Sequence, residues 1–347
     1  WVSRRLPGMD LTTVAEDEAV VHDGTDIRTY DGLDPDTLYE FDGFVFRTLA
    51  RPPGELLCRF ATVNDVHFGE VECGLIDWAP EVGPTFSTPE GAEPYPEMMN
   101  RHVIAEMDAI DPIAVVVKGD LTSNGTDEEY QQFCDFYAPV FGDRLHHIRG
   151  NHESYHHQHV GDATPRAVQL PGVTLALIDT SIDGKPTGGV DGDTLTWLRD
   201  TAADAARTQP DVPILVFGHH HCWNPESHER PDDYFGIDPD DSERLVEVVA
   251  AHPNLRGYFA GHTHRNRVRR FSATRDVPWV EVASVKEFPG MWAEYRVYEG
   301  GITQVGRRIA HPEAMDWSAR TRAMYSGLFS DYAFGSLADR CFVVTAG

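Results

Sequence analysis

Leu57-Cys58-Arg59-Phe60-Ala61-Thr62-Val63-Asn64-Asp65-Val66-His67 is a run of strand length that stops on three polar side chains able to do chemistry. Short, largely apolar and rich in β-branched and aromatic types, Leu57–Val63 predicts a buried strand. The pattern recurs four times. Ile113–Lys118 ends in Gly119-Asp120, and Arg144–Ile148 ends in Gly150-Asn151-His152-Glu153. Ile214–Phe217 ends in Gly218-His219-His220-His221, and Leu255–Phe259 ends in Gly261-His262-Thr263-His264. Val173–Asp179 is a further strand, and helices are expected at Pro96–Ala109, Asp127–Tyr137, Thr194–Ala206 and Asp240–Ala251. Strands alternating with helices predict a layered α/β domain. In open α/β sheets ligands bind just beyond the carboxyl ends of strands. Five such ends delivering carboxylate, amide and imidazole groups predict a metal site.

Imidazole with carboxylate suits Fe, Mn, Zn, Co or Ni, and the lack of Cys speaks against a thiolate site. Asp-x-His and His-x-His place two side chains on one side of an extended backbone, so one ion is expected to draw two ligands from one segment. Asp65, His67, Asp120, Asn151, His219, His262 and His264 exceed what one tetrahedral ion needs. Two ions sharing a carboxylate is the economical reading. The run of three histidines leaves His220 as an alternative to His219.

Asp-x-His, Gly-Asp, Gly-Asn-His-Glu, Gly-His and Gly-His-Thr-His stand here in the order and rough spacing of calcineurin-like metallophosphoesterases, which the chain resembles over about residues 56–300. The resemblance implies a four-layer α/β/β/α sandwich. It implies that Asp65, His67, Asp120 and His264 hold one cation, and that Asp120, Asn151, His219 and His262 hold the other. It implies hydrolysis of a small-molecule phosphodiester by a hydroxide bridging two divalent or trivalent ions (Fe, Mn or Zn), with Asp120 shared between them. His152 matches the family's histidine that binds the phosphate and protonates the leaving oxygen. Two departures narrow the branch. Purple acid phosphatases carry a Tyr where this chain has Ser123, and protein phosphatases want Gly-Asp-x-Val-Asp-Arg-Gly where it reads Gly119-Asp120-Leu121-Thr122-Ser123-Asn124-Gly125. The most similar branch is the class III cyclic-nucleotide phosphodiesterases and glycerophosphodiesterases. The alternatives are a phosphomonoesterase or nucleotidase on the same site, and a metal-binding interaction protein without catalysis.

Outward from the motifs, residues 1–53 read as a small β module joined through Arg51-Pro52-Pro53-Gly54 to a catalytic domain spanning 54–347. Ala19–Val21, Asp26–Tyr30 and Leu38–Phe46 are its expected β segments. Gly32-Leu33-Asp34-Pro35-Asp36-Thr37-Leu38-Tyr39 is similar to the tyrosine corner of fibronectin type III modules, where the hydroxyl ties to nearby backbone. Val268–Val297 is expected to be β-rich and 313–340 a helical or irregular tail. The loops Glu70–Glu97, with Trp78 and Phe86, and Cys222–Tyr234, with Trp223 and Tyr234, are candidates to set specificity, their aromatics expected either to stack on a base or to pack the loop down. The 347 residues carry a net charge of −27. No Lys/Arg run offers a nucleic-acid face, and Arg265, Arg267, Arg269 and Arg270 are expected to be solvated or paired with acids. No apolar run approaches a membrane span. Five scattered cysteines without a CxxC pair suggest reduced thiols and a cytoplasmic setting, although the chain begins at Trp1 and not at Met.

Overall fold

The structure, a computed structural model, describes residues 8–76, 79 and 81–345. At the N-terminal end, β1 (Met9–Val14), β2 (Glu18–Asp23) and β3 (Asp26–Asp31) form an antiparallel meander. Beside it stands a hairpin, β4 (Leu38–Phe41) and β5 (Phe44–Arg47). The single segment expected over Leu38–Phe46 is therefore broken. Asp42 and Gly43 both take positive φ (51° and 77°), as the two-residue turn of a tight hairpin requires. Tyr39 forms the anticipated corner, its hydroxyl accepting the Asp34 N–H at 2.9 Å.

Two six-stranded sheets make the body of the protein. Chain order runs β6 (Leu56–Val63), α1 (Tyr95–Ala109), β7 (Val115–Lys118), α2 (Asp127–Phe141), β8 (Leu145–Ile148), β9 (Arg166–Leu170), β10 (Val173–Leu177), α3 (Gly192–Thr208), β11 (Ile214–Phe217), α4 (Pro239–Ala251) and β12 (Leu255–Ala260). It continues through β13 (Arg267–Arg270), β14 (Pro278–Glu281), β15 (Met291–Tyr298), β16 (Gly301–Arg308), α5 (Pro312–Thr321), α6 (Phe329–Phe334), α7 (Leu337–Arg340) and β17 (Cys341–Thr345). One sheet is ordered β17-β16-β15-β6-β7-β8 and the other β13-β14-β12-β11-β10-β9. The strands that end in the motifs are parallel within each sheet: β6, β7 and β8 in one, β11 and β12 in the other.

Burial explains the layering. Phe60, Val116, Leu175, Phe217, Phe259 and Tyr295 interdigitate between the sheets, with Phe60 and Tyr295 stacked at 4.4 Å. α1, α2, α5 and α6 cover the outer face of one sheet, and α3 and α4 cover the other. The expected α/β/β/α sandwich is the observed one. The tail differs from expectation only at its end. After three short helices, Cys341–Thr345 returns as an edge strand against β16, which the β-branched run Val343-Val344-Thr345 suits.

The small β module is sewn to the first sheet. Thr13 Oγ1 donates to the Gly306 carbonyl at 2.6 Å, and Arg340 donates to the Leu11 and Thr12 carbonyls at 2.8 and 3.0 Å. Arg296 reaches Asp17 at 2.8 Å and Glu18 at 2.6 Å, and Arg307 reaches Glu18 at 2.9 Å. Among the described residues, no helix is long and apolar enough to cross a membrane.

Candidate metal centre

Each motif strand must stop abruptly for its polar residues to face a common point. Asp65, His67, Asp120, His262 and His264 do so in the left-handed region, with φ of 55°, 48°, 49°, 68° and 52°. Asp and His tolerate that region better than most residues. It still costs up to ~1–3 kcal/mol per residue, and such strain gathers at functional sites. Neighbouring segments hold the turns: Asp65 N–H donates to Gly119 O at 3.1 Å, His67 N–H to Asp120 O at 3.0 Å, and Gly261 N–H to His219 O at 2.9 Å. The geometry corrects the extended-backbone expectation. With φ positive at all four, Asp65 and His67 still share one cluster, while His262 and His264 fall in different ones, as the resemblance implies.

Two clusters result. Asp65, His67, Asp120 and His264 bring ligand atoms within 4.8 Å of one another, and so do His219, His220 and His262. Asp120 stands between them. Its Oδ2 is 3.5 Å from His67 Nε2 in one cluster and 3.2 Å from His219 Nε2 in the other. Asp65 Oδ1 is 3.5 Å from His264 Nε2. Asn151 is buried one residue before His152, whose N–H donates to Asp120 Oδ1 at 3.1 Å. His67 Nδ1 and Nε2, Asn151 Oδ1, His219 Nε2 and His262 Nε2 are buried and make no hydrogen bond. Burying so many unpaired polar atoms is costly without a ligand. Orphaned nitrogen and oxygen donors around a shared carboxylate fit two cations.

Partners behind these residues aim them. His219 Nδ1 donates to the Lys118 carbonyl at 2.8 Å, which leaves Nε2 as the lone-pair nitrogen facing Asp120. His264 Nδ1 is paired with the Glu287 carboxylate in the same way. His220 differs. Thr180 Oγ1 accepts the His219 and His220 backbone N–H groups at 3.2 and 3.1 Å, so its own proton goes to His220 Nδ1 at 2.9 Å. Nε2 of His220 is buried without a hydrogen-bond partner, as the orphaned atoms above are, so His220 remains in the second cluster beside His219 and His262. Asn64 donates to Asp65 Oδ2 and to the Val282 carbonyl at 3.1 Å. Glu153 accepts the Gly150 N–H at 2.6 Å and the Thr122 N–H at 2.8 Å, tying the Asn151 loop to the Asp120 loop.

The electrostatics match a cation site. Burial opposes charge on His219, yet Asp120 and Asp65 overcome it and raise its pKa to about 9. Burial likewise opposes charge on His264, but Glu287 and Asp65 take it up to about 10. His262, buried against His220 and His219, is held well below its ordinary value. Glu287 is pulled down to about 2 despite burial, chiefly by Lys286 and His264. Asp120 is likewise held well below the usual carboxylate range despite burial, chiefly by His219 and His152, and the imidazoles compete for its field, a potential that resident cations would satisfy.

His152 stands apart from the clusters, a quarter exposed at the side chain. Its ring lies 4.5 Å from that of His67, and its Nδ1 donates to the Ser123 carbonyl at 2.6 Å. Nε2 lies 3.9 Å from Asp120 Oδ2.

Several contributors escaped the sequence reading. Glu287, far from the motifs in the chain, pairs its carboxylate with His264 Nδ1. Asn100, on α1, donates to the Val66 carbonyl at 3.0 Å and accepts from Tyr137 at 2.7 Å, so two helices brace the Asp65–His67 turn. Phe235, one residue beyond the expected specificity loop, stacks on His262 at 4.1 Å. Of the other histidines, His147 bonds Tyr130 at 2.9 Å and His157 pairs with Asp183 at 2.8 Å. Arg265 bonds Glu281 at 2.8 Å, as expected for a basic cluster partnered by acids. Trp78 lies outside the described residues.

Comparison with known proteins points the same way. The family model described as calcineurin-like phosphoesterase matches residues 58–266. The chain is 26% identical over 170 residues to a probable glycerophosphodiester phosphodiesterase of Arcobacter nitrofigilis, covering 44% of this chain and 57% of that protein. It is 26% identical over 164 residues to a cAMP/cGMP dual specificity phosphodiesterase of Mycobacterium tuberculosis, covering 44% of this chain and 49% of that one. A dimetal phosphatase from Danio rerio shares the fold at a TM-score of 0.56 with 16% identity, over 74% of this chain and 98% of its own. Matched strand ends, a shared central carboxylate and a family model spanning all five motifs up to His264 agree: the chain belongs to the calcineurin-like phosphoesterase family.

Proposed function

We propose that this chain hydrolyses a small-molecule phosphodiester at a two-cation centre. The observation that carries the reading is Asp120, whose single carboxylate faces both ligand clusters at 3.5 and 3.2 Å. One cation would be held by Asp65, His67, Asp120 and His264, and the second by Asp120, Asn151, His219 and His262. Fe, Mn and Zn all suit these mixed nitrogen and oxygen donors. When bound, such a pair supplies Lewis-acid stabilisation of the phosphoryl oxygens and an acidified water for in-line attack.

The chain's own residues do the rest. Asp120 and Asp65 fix the negative field that keeps the cations close. His219 and His264 are locked in the tautomer that presents Nε2. His152 already donates through Nδ1, so in its protonated form Nε2 carries the second proton and can pass it to the leaving oxygen. After transfer the ring keeps the Nδ1–H that Ser123 requires.

A diester is favoured over a monoester by the disposition of positive charge. The lysines nearest these motifs are committed elsewhere: Lys118 donates to the Ala260 carbonyl at 2.8 Å, and Lys286 pairs with Glu70 and Glu287. A monoanionic diester needs less countercharge than a dianionic monoester. The named activities of the two bacterial relatives support the same choice. Residues 1–53 we read as an accessory module that stiffens the first sheet. Hydrolysis of bis-p-nitrophenyl phosphate should exceed that of p-nitrophenyl phosphate by protein loaded with Mn. Turnover of neither, with two ions per chain confirmed by elemental analysis, would overturn the reading in favour of a non-catalytic metal protein.

A further inference from the structure

An exposed phenylalanine next to a candidate metal ligand calls for an explanation. Phe235 leaves 55% of its surface exposed and is the only phenylalanine so placed among the described residues. Its ring is 4.1 Å from that of His262 and inclined by 30°. One flank of the ring is therefore occupied by the site, and the remainder faces outward.

The segment that carries it is held on both sides. Ile237 N–H donates to the His221 carbonyl at 2.9 Å, and Gly188 N–H donates to the Gly236 carbonyl at 2.7 Å. Gly236 sits so close to its neighbours that a Cβ there would lie 2.6 Å from the His221 carbonyl oxygen. The ring is thus mounted on a fixed backbone and loses little freedom on meeting a ligand. Its chain neighbour Tyr234 lines a cavity of about 410 Å³ together with Trp223 and Arg230, whose guanidinium lies 5.3 Å from the Trp223 ring centroid.

We propose that Phe235 is a specificity-determining platform on which the organic group of the substrate stacks, so that the enzyme prefers diesters bearing a flat aromatic group, a nucleobase or an aryl ring, over those bearing glycerol or short alkyl groups. The inference rests on the phosphodiesterase reading and deepens it. A planar π-face gains from an aromatic platform what an alkyl group does not, because dispersion and quadrupole terms act over the whole ring. The phosphate would lie at the metal centre and the flat group against the open side of Phe235.

The test compares wild type, Phe235→Ala, Phe235→Leu and Phe235→Tyr, each with two ions per chain verified, so that a disturbed His262 is detected. Two readouts are taken. The first is the ratio of kcat/KM for the methyl diester of adenosine monophosphate to that for methyl glyceryl phosphate, both followed by release of methanol. The second is the ratio of affinities for adenosine monophosphate and methyl phosphate, measured by calorimetry. Both ratios should fall about tenfold in the Ala and Leu variants and be largely restored by Tyr, in keeping with the loss of one stacking contact. Unchanged ratios would overturn the role of Phe235 while leaving the hydrolase intact. An affinity ratio that falls in a protein hydrolysing neither diester would uphold the platform and remove the phosphodiesterase reading.

Discussion

At the residue scale the site depends on a few side chains held by others. Asp120 serves both clusters, so Asp120→Asn should remove at least one ion and lower kcat/KM on bis-p-nitrophenyl phosphate by about a thousandfold or more. Elemental analysis alongside kinetics checks both halves, and a variant that keeps two ions and near-normal turnover would refute the bridging assignment. His152→Ala should act differently. Its loss should be small on p-nitrophenyl diesters, whose leaving group needs no proton, and about a hundredfold on alkyl diesters, whose leaving group does. Equal losses on both substrates would argue against an acid role. Glu287→Gln leaves every ligand in place but removes the charge behind His264. It should weaken metal binding about 10–100-fold, read by chelator competition, with the fold retained. Asp65, Asp120 and the histidines were legible in the sequence because each follows a strand directly. Glu287 was not, because it lies 23 residues from the histidine it orients and only the packed sheets bring them together.

At the element scale the five parallel strands and their abrupt ends form the working device. Glycines precede the polar residues because there is no room for anything larger. Gly119 has φ of 84°, and a Cβ there would lie 2.5 Å from His219 Nδ1. At Gly150 a Cβ would run into the Asp120 carboxylate and backbone. Gly119→Ala is therefore strained in both backbone and packing. It should cost about 2 kcal/mol or more and displace His219, seen as a lowered thermal midpoint together with loss of one bound ion. The motif strands and the helices between them were close to those expected, since apolar runs of strand length and period-3.6 faces are local signals; β1, β9 and β16 were not among the expected segments. The left-handed turns at Asp65, His67, Asp120, His262 and His264 were not foreseen. Nothing local in Asp-x-His or His-x-His distinguishes an extended pair from a turned one, and the turn is imposed by hydrogen bonds from the neighbouring strand end.

On the scale of the whole molecule, charge at the junction of the small β module and the first sheet sets the acid limit. Glu18 and Glu294 are partly to fully buried, which alone would raise their pKa values. Hydrogen bonds and charge from Arg307 and Arg296 outweigh burial and hold both below 4.5. The unfolded chain then binds more protons than the folded one in the window beneath 4.5. Their contribution to stability is present above that pH and is lost as pH falls through the folded values. Through these groups the thermal midpoint should drop as pH falls below about 4.5. A Glu18→Gln variant should show a lower midpoint at pH 7 and a shallower acid decline; a decline as steep as wild type would locate the acid limit elsewhere. Taken alone, the amino-acid sequence determined the layered α/β class, the five strand ends and the residue types gathered at them, because these rest on periodicity and residue identity within short windows. Only the tertiary structure decided which side chains gather in which cluster, that Glu287 stands behind His264, and that Phe235 is left open beside His262. Those outcomes depend on distances between segments remote in the chain, which packing of the two sheets sets and no local pattern encodes.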